Sequence, residues 1–96
     1  MKHAPGEQGI RHLPEEGRFE MTGAATGAAL TYREEGSVIA IERVFVPPTL
    51  RGGGVAGTLT RAALAYARAR GRKVQPDCSY ADAYLRRHAE WGDLRA

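Results

Sequence analysis

The feature that most constrains the fold is an abrupt change of hydrophobic period at three consecutive glycines, Gly52 to Gly54. Before them, residues 37–46 form a long run rich in β-branched side chains, and two prolines close it because proline cannot donate to a β-ladder. After them, apolar residues and alanines recur at helical spacing until Gly71, a common helix stop. The sequence therefore predicts a long strand that passes through a glycine loop directly into a helix.

The segments on either side of this loop predict an α+β domain. Alternating patterns and a turn at residues 34–36 predict N-terminal antiparallel strands within residues 18–46. The remaining elements are a helix over residues 54–70, a short parallel strand over 72–76 and a helix over 79–88, with Ser79 as the N-cap. Residues 1–17 lack periodicity, so we expect a loose arm there. Residues 1–96 are thus expected to form one minimal domain.

Composition excludes several classes of protein. No run approaches the roughly 18 apolar residues that a membrane span needs, and the first residues do not resemble a signal peptide. A single cysteine, Cys78, excludes an internal disulfide framework and is typical of a reducing, cytoplasmic location. Three scattered histidines and one cysteine match no metal-site spacing. A domain of this size has a thin core, to which a homodimer would add buried surface.

Charge is distributed unevenly along the chain. Residues 1–50 carry five Lys and Arg against seven Glu, whereas residues 51–96 carry nine Lys and Arg against four acidic residues, a net charge of +5. The basic half predicts an anionic partner: a nucleic acid, a membrane surface or a phosphorylated small molecule. The lack of a helix-turn-helix, of a basic-aromatic strand pattern and of zinc-ligand spacing argues against nucleic acid. A solvated arginine face without a ligand is the plain alternative.

The glycine loop predicts a phosphate site. Glycines let backbone N–H groups approach a ligand closely, and the first N–H groups of a helix lack internal partners where the helix dipole is positive. A Walker loop is excluded because no Gly-Lys-Ser/Thr follows. Gly52, Gly54 and Gly57 match the dinucleotide pattern G-x-G-x-x-G, with Asp77 at a suitable distance, but 96 residues cannot supply the repeated βαβ units of that fold. A flexible turn without a ligand is the other alternative.

A third phosphate motif fits both the residues and their context. Arg51-x-x-Gly54-x-Ala56 matches the signature Q/R-x-x-G-x-G/A of the GNAT superfamily of N-acetyltransferases. Over residues 18–94 the chain resembles the small, single-domain branch of that superfamily. The branch shares this loop and a tail that here consists of Cys78, Ser79, Tyr80, Tyr84, Arg87 and His88. The resemblance implies the three-layer α/β architecture of the superfamily.

The resemblance also implies that acetyl-CoA is the cosubstrate and that an amine, which the sequence does not identify, is the acceptor. The pantetheine arm of the acyl-CoA would lie where two central parallel strands splay apart, here residues 38–46 and 73–75. N–H groups near Phe45 and Val46 would orient the thioester carbonyl and stabilise its developing oxyanion. The pyrophosphate would bind to the loop residues Arg51, Gly52, Gly53, Gly54, Val55 and Ala56.

Three side chains are candidates for the acyl-transfer chemistry. Cys78 precedes a helix N-terminus, an environment that increases thiol reactivity, so it could accept the acyl group or protonate the leaving thiolate. A small buried hydrophobe is the alternative for this cysteine. Tyr80 and Tyr84 lie on one helix face and compete for the role of general acid, with simple packing as the alternative. His88 is more typical of a helix-end partner, and His12 receives no role.

One position departs from the resemblance. Many members of the branch carry a histidine near the end of the long strand, where this chain has Arg43. Arginine stays protonated and cannot act as a general base, and strand alternation is expected to direct the adjacent Glu42 to the opposite face. Either water takes the proton of the acceptor, or the protein is a non-catalytic acyl-CoA-binding or regulatory module. The sequence thus supports a binding site more strongly than a reaction.

Overall fold

A mixed five-stranded β-sheet organises residues 9–96, the part of the chain that this computed structural model describes. The strands lie in sequence order across the sheet. The first four are antiparallel neighbours, whereas the fourth and fifth run parallel. They are β1 (Ile10–Leu13), β2 (Arg18–Met21), β3 (Ala29–Glu35), β4 (Val38–Phe45) and β5 (Lys73–Pro76). This arrangement confirms the predicted α+β fold class.

Two α-helices follow in the predicted order. α1 (Val55–Ala69) connects β4 to β5, as a parallel pair requires, and α2 (Ser79–Arg87) follows β5. Short 3-10 turns occupy four further segments: Pro14–Glu16, Gly23–Ala25, Pro48–Leu50 and Ala89–Leu94. No helix within residues 9–96 is long and apolar enough to cross a membrane.

Both helices pack on the same face of the sheet. Ile39 and Ile41 of β4 point to that face, and Tyr32 and Val74 lie beside them in the neighbouring strands. One buried core combines these four side chains with residues of both helices and of other segments: Leu59, Ala63, Leu64 and Ala67 of α1, Ala81 and Leu85 of α2, and Phe19, Ala28, Leu30 and Leu94 outside the two α-helices. Burial of this apolar set against the sheet is the main force that holds the helices in place.

The opposite face of the sheet carries no helix from the described residues. Its exposed side chains are largely charged, for example Arg33, Glu35 and Arg43. Ala29 and Ala40 lie on this face and outside the core cluster. They are nevertheless buried, because longer neighbours on adjacent strands shield such small side chains. Residues 9–96 therefore form a sheet with one helical layer, whereas the resemblance implied a layer on each face.

The expectation of a loose arm over residues 1–17 is wrong for residues 10–16. Ile10–Leu13 forms β1 and pairs with β2 in a register from Ile10 opposite Met21 to Leu13 opposite Arg18. The turn Pro14–Glu16 then leads into β2. Four residues are too few to show a clear period, and one of the two inward positions is His12 rather than an apolar residue. Residues 1–8 lie outside the described part of the chain.

His12 attaches β1 to the helical layer through an aromatic cluster. Its ring stacks on Phe19 with 4.0 Å between centroids and meets Tyr66 of α1 edge-on at 4.4 Å. Its Nε2 lies 2.6 Å from the hydroxyl oxygen of Tyr32. The Tyr66 hydroxyl donates in turn to the carboxylate of Glu34 at 2.9 Å. The cluster therefore links β1, β2, β3 and α1.

We expect His12 to make the stability of the protein pH-dependent. Burial lowers the pKa of His12, an effect that nearby Glu34 opposes and Arg70 reinforces. Because the folded pKa lies below the unfolded value of about 6.5, the unfolded state binds protons more readily. The free energy of unfolding should thus fall as the pH drops from about 6.5 through the folded pKa. Urea unfolding at neutral and mildly acidic pH measures this decrease in the free energy of unfolding, and His12→Gln should make the decrease smaller. The same dependence of the free energy on pH in wild type and variant would contradict the expectation.

Gly17 is required at the entry to β2. Its φ is +63°, and a Cβ there would lie 2.3 Å from the carbonyl oxygen of Tyr32. Gly36 has a similar φ of +60° but open space around it, so it is a matched control. We expect Gly36→Ala to cost about 1–2 kcal/mol from backbone strain alone, and Gly17→Ala about 3 kcal/mol or more because the clash adds to the strain. Chemical unfolding of both variants measures the difference, and equal costs would disprove the clash.

Candidate functional site

The parallel pairing of β4 and β5 ends halfway along β4. The last register pair is Ile41 with Pro76, and the N–H of Asp77 donates to the Ile41 carbonyl at 2.9 Å. Beyond this point, residues 43–45 pair only with β3. One edge of this half-strand therefore has no strand partner within residues 9–96, and its peptide groups are available to a ligand.

A β-bulge marks the same point on the other edge of β4. Tyr32 pairs with Ile41 and Thr31 with Arg43, so Glu42 is an extra residue in β4. A bulge bends a strand and increases its twist, which agrees with the divergence of β4 from β5. It also interrupts the alternation of side chains, so alternation alone does not place Glu42. The carboxylate of Glu42 forms an exposed ion pair with Arg33.

A cleft of about 490 Å³ opens where β4 ends and α1 begins. Its wall is formed by the strand end, the glycine loop, the first turn of α1 and one side chain of α2. Gly52 and Gly54 have φ angles of +87° and +83°, and a Cβ at either position would meet no atom within 4 Å. Glycine is therefore favoured by the backbone path, and the space above both residues is free for a ligand.

The N-terminus of α1 supplies unpartnered N–H groups to this cleft. Gly54 is the N-cap and has no side chain that could accept a hydrogen bond. The first bond of the helix runs from the Thr58 N–H to the Gly54 carbonyl at 3.0 Å. In the described chain the N–H groups of Val55, Ala56 and Gly57 thus have no protein acceptor. Together with the positive end of the helix dipole, they have the chemistry of an anion site.

Arg51 fixes the loop to the end of β4. Its Nε donates to the Val46 carbonyl at 3.0 Å, and the N–H groups of Leu50 and Arg51 close a turn on the carbonyls of the two prolines. Its terminal guanidinium nitrogens have no acceptor among residues 9–96, so they stay free to bind an anion. The side chain thus has both a structural contact and unused donors.

The cleft brings together most of the binding residues that the sequence predicts. Seven predicted site residues line it: Phe45, Val46, Arg51, Gly52, Gly54, Ala56 and Tyr80. Gly53 and Val55 lie in the same loop without lining the cleft. Sequence reasoning missed Val44 and Leu50, which also line it, because apolar residues beside a motif carry no distinctive signal. Gly57, noted only for its glycine spacing, is a further lining residue.

Three rings follow one another along α2, and the first reaches the cleft. The centroids of Tyr80 and Tyr84 are 6.2 Å apart, and Tyr84 stacks on His88 at 3.9 Å. The Nδ1 of His88 lies 2.9 Å from the Tyr84 carbonyl oxygen and therefore carries a proton that it donates. A Cβ on Gly57 would lie 3.4 Å from Tyr80 and 3.6 Å from Tyr84, which are ordinary van der Waals distances, so the first turn of α1 lies close to both rings. Tyr84 itself does not line the cleft.

The environment of Tyr80 favours its protonated form. Burial raises the pKa of Tyr80, Tyr84 raises it further, and Arg87 opposes the shift. The residue nevertheless keeps 38% of its surface exposed. A tyrosine that lines the cleft and stays protonated at neutral pH is suited to donate a proton.

Cys78, rather than Ser79, is the N-cap of α2. Its backbone is extended, with φ −108° and ψ 151°, and its Sγ accepts a hydrogen bond from the Ala81 N–H at 3.4 Å. The prediction of Ser79 as the cap is wrong because Ser79 is already the first helical residue. Cys78 is partly buried against the core and does not line the cleft. The Cys78 thiol thus makes a structural contact as the cap of α2.

Arg43 lies away from the cleft. Its guanidinium carbon lies 5.1 Å from the centroid of the Phe45 ring, on the sheet face opposite the helices. Among residues 9–96, no carboxylate or imidazole lines the cleft, and the ionisable side chains that do are Arg51 and Tyr80. Residues 9–96 contain no group of three or more His, Cys, Asp or Glu side chains that could hold a metal ion.

Substitution of Cys78 separates its structural contact from any chemistry of the thiol. A serine hydroxyl is a good helix cap, so Cys78→Ser should change the free energy of unfolding by no more than about 0.5 kcal/mol, while Cys78→Ala should lose about 1 kcal/mol with the cap. Thermal or urea unfolding of the two variants measures this order. An alanine variant as stable as the serine variant would show that the cap contributes nothing.

Comparisons with known proteins agree with this geometry. The solution NMR structure of a GCN5-like candidate N-acetyltransferase from Staphylococcus aureus is similar, with 26% sequence identity and a TM-score of 0.75. The match covers 93% of this chain and 88% of that chain. No curated protein sequence compared with the chain matches it. The profile of the family described as GCN5-related N-acetyl-transferase matches residues 18–94, so the chain belongs to the GCN5-related N-acetyltransferase family.

Proposed function

We propose that the protein binds acetyl-CoA in the cleft between β4 and α1 and transfers the acetyl group to an amine. The observation that carries the proposal is the junction over residues 51–57, where open glycines and unpartnered helix N–H groups adjoin an unpaired strand edge. A pyrophosphate suits the N–H groups, and the amide-containing pantetheine arm suits the strand edge. Membership of the family supports the same assignment.

The end of β4 would supply the electrostatic stabilisation of acyl transfer. Successive residues of a strand direct their N–H groups to opposite edges, so one of Phe45 and Val46 directs its N–H to the gap beside β4. A thioester carbonyl placed there would accept this hydrogen bond, which strengthens as negative charge develops on the oxygen. The Arg51 donors and the α1 N-terminus would hold the pyrophosphate at the other end of the cleft.

Tyr80 is the proposed general acid. It lines the cleft, and its raised pKa keeps the hydroxyl protonated until the thiolate of CoA leaves. Tyr84 would act as a positioning residue, since it contacts the Tyr80 ring from one side and stacks on His88 from the other. Cys78 is the alternative proton donor or acyl acceptor, although its thiol already caps α2.

A non-catalytic acyl-CoA-binding module is the second candidate function. The observation that favours it is that the described residues lining the cleft include no carboxylate or imidazole. Without such a base, the acceptor would lose its proton to water. Binding of acyl-CoA is common to both candidates, so the two differ only in whether an amine is acetylated.

Calorimetric titration of acetyl-CoA and CoA into wild-type protein and two Ala56 variants tests the binding site. Ala56 lies in the first turn of α1 and lines the cleft. Ala56→Asp should keep or improve helix stability, since a carboxylate at this end suits the helix dipole, but it should repel a pyrophosphate. Ala56→Asn has nearly the same shape without the charge. We expect binding by the wild type and the Asn variant, and at least about tenfold weaker binding by the Asp variant.

Absence of acetyl-CoA binding by the wild type would refute the proposal. Equal weakening by Ala56→Asn and Ala56→Asp would locate the pyrophosphate elsewhere, because shape rather than charge would then matter. Mass spectrometry of amines incubated with acetyl-CoA separates an enzyme from a binding module. In an enzyme, Tyr80→Phe should lower kcat while the affinity for acetyl-CoA is retained.

A further inference from the structure

A small hollow lies on the sheet face that the helices leave open, beside the end of β4. Its volume is about 280 Å³. The register places Arg18, Thr31 and Arg43 in one row across β2, β3 and β4, and Ala29 opposite Phe45 in the next row. Small side chains in the central strand form the floor. The long side chains of the flanking strands form the walls, with their backbones about 10 Å apart.

The hollow has a positive charge that residues 9–96 do not neutralise fully. Arg18 contacts the Glu20 carboxylate at 3.1 Å, and the same carboxylate lies 3.6 Å from Arg11. The Glu20 carboxylate is thus shared between Arg11 and Arg18. Arg43 forms no ion pair with any residue from 9 to 96, and its charge lies over the Phe45 ring. An anionic group is therefore the complement of this surface.

The hollow adjoins the proposed acyl-CoA cleft through one residue. Phe45 lines both the cleft on the helical side and the hollow on the open side. Beyond Ile41, no strand of the described chain lies beside this edge of β4. The gap between the strands thus connects the two faces of the sheet at the level of Phe45. A molecule in the hollow could reach a thioester held along the unpaired edge.

We propose that this hollow binds the acceptor, and that the acceptor is a small amine that also carries an anionic group, either a carboxylate or a phosphate. Arg43 holds the anionic group, while the apolar part of the acceptor lies on Ala29 and the exposed Phe45 ring. The inference rests on the proposed acetyl transfer. In that reaction the C–N bond forms as the C–S bond breaks. The ammonium group loses two protons, of which one is taken up by the CoA thiolate and one by solvent.

Arg43 selects the acceptor by its anionic end. The residues from 9 to 96 that line the cleft include no carboxylate or imidazole, so the proton that the CoA thiolate does not take up goes to solvent.

The test uses two matched pairs of probes and protein saturated with CoA, so that binding is measured without turnover. The pairs are phosphoethanolamine with ethanolamine, and 4-aminobutyrate with butylamine. Each pair differs in the anionic group, and the two pairs distinguish phosphate from carboxylate. The variants are Arg43→Gln and, as a control with the same loss of charge, Arg61→Gln on the exposed side of α1. CoA affinity is recorded in the same calorimetric series.

We expect the anionic member of at least one pair to bind the wild type and Arg61→Gln about tenfold more tightly than its neutral partner. Arg43→Gln should abolish this preference and leave the affinity for CoA unchanged. Equal binding of both members by the wild type, or a preference that survives Arg43→Gln, would overturn the inference while the proposed function stands. Failure of CoA to bind would instead overturn acetyl transfer, and with it the acceptor role of the hollow.

Discussion

The site depends on one pairing that the sheet does not complete. The register of β4 and β5 ends at Ile41 and Pro76, and the bond from the Asp77 N–H to the Ile41 carbonyl closes it, although β4 continues to Phe45. Pro76 cannot donate to a ladder, and Cys78 already caps α2, so β5 has no residues left to follow its neighbour. The bulge at Glu42 gives β4 an extra residue at the same level. An unpaired edge inside a sheet is costly unless something binds to it, which is why this edge is the natural place for an extended ligand.

The loop after β4 places the proposed pyrophosphate site beside that edge. Two prolines end the strand, glycines with positive φ turn the chain, and Arg51 bonds back to the Val46 carbonyl. α1 therefore begins close to the end of β4, with its first N–H groups unpartnered. The unpaired edge of β4 and the N-terminus of α1 lie close together because only a short loop joins them, so no further contact is needed to bring them together.

The sequence predicts the elements that have strong local signals. The run before the prolines and the alanine-rich helix place β4 and α1 correctly, because period, capping and φ requirements act over neighbouring residues. Most residues of the predicted glycine loop line the cleft, and their binding roles stay predictions. β1 was missed since its inward residue His12 is held by Phe19 and Tyr66, contacts between distant parts of the chain. The bulge at Glu42 depends on cross-strand register. The cap at Cys78 depends on where α2 begins, and a one-residue shift exchanges it with Ser79.

Residues 43–45 of β4 present groups in three directions, and each direction faces a different part of the structure. Val44 points to the helical side and packs against the core, while Arg43 and Phe45 present their side chains to the open face. The peptide groups between them face the gap left by β5. A second helical layer would bury the open face and strengthen a thin core, but it would also cover the hollow beside Phe45. With one helical layer in residues 9–96, this end of the sheet has two accessible sides, and a small molecule can approach the strand edge from the side opposite the proposed acyl-CoA cleft.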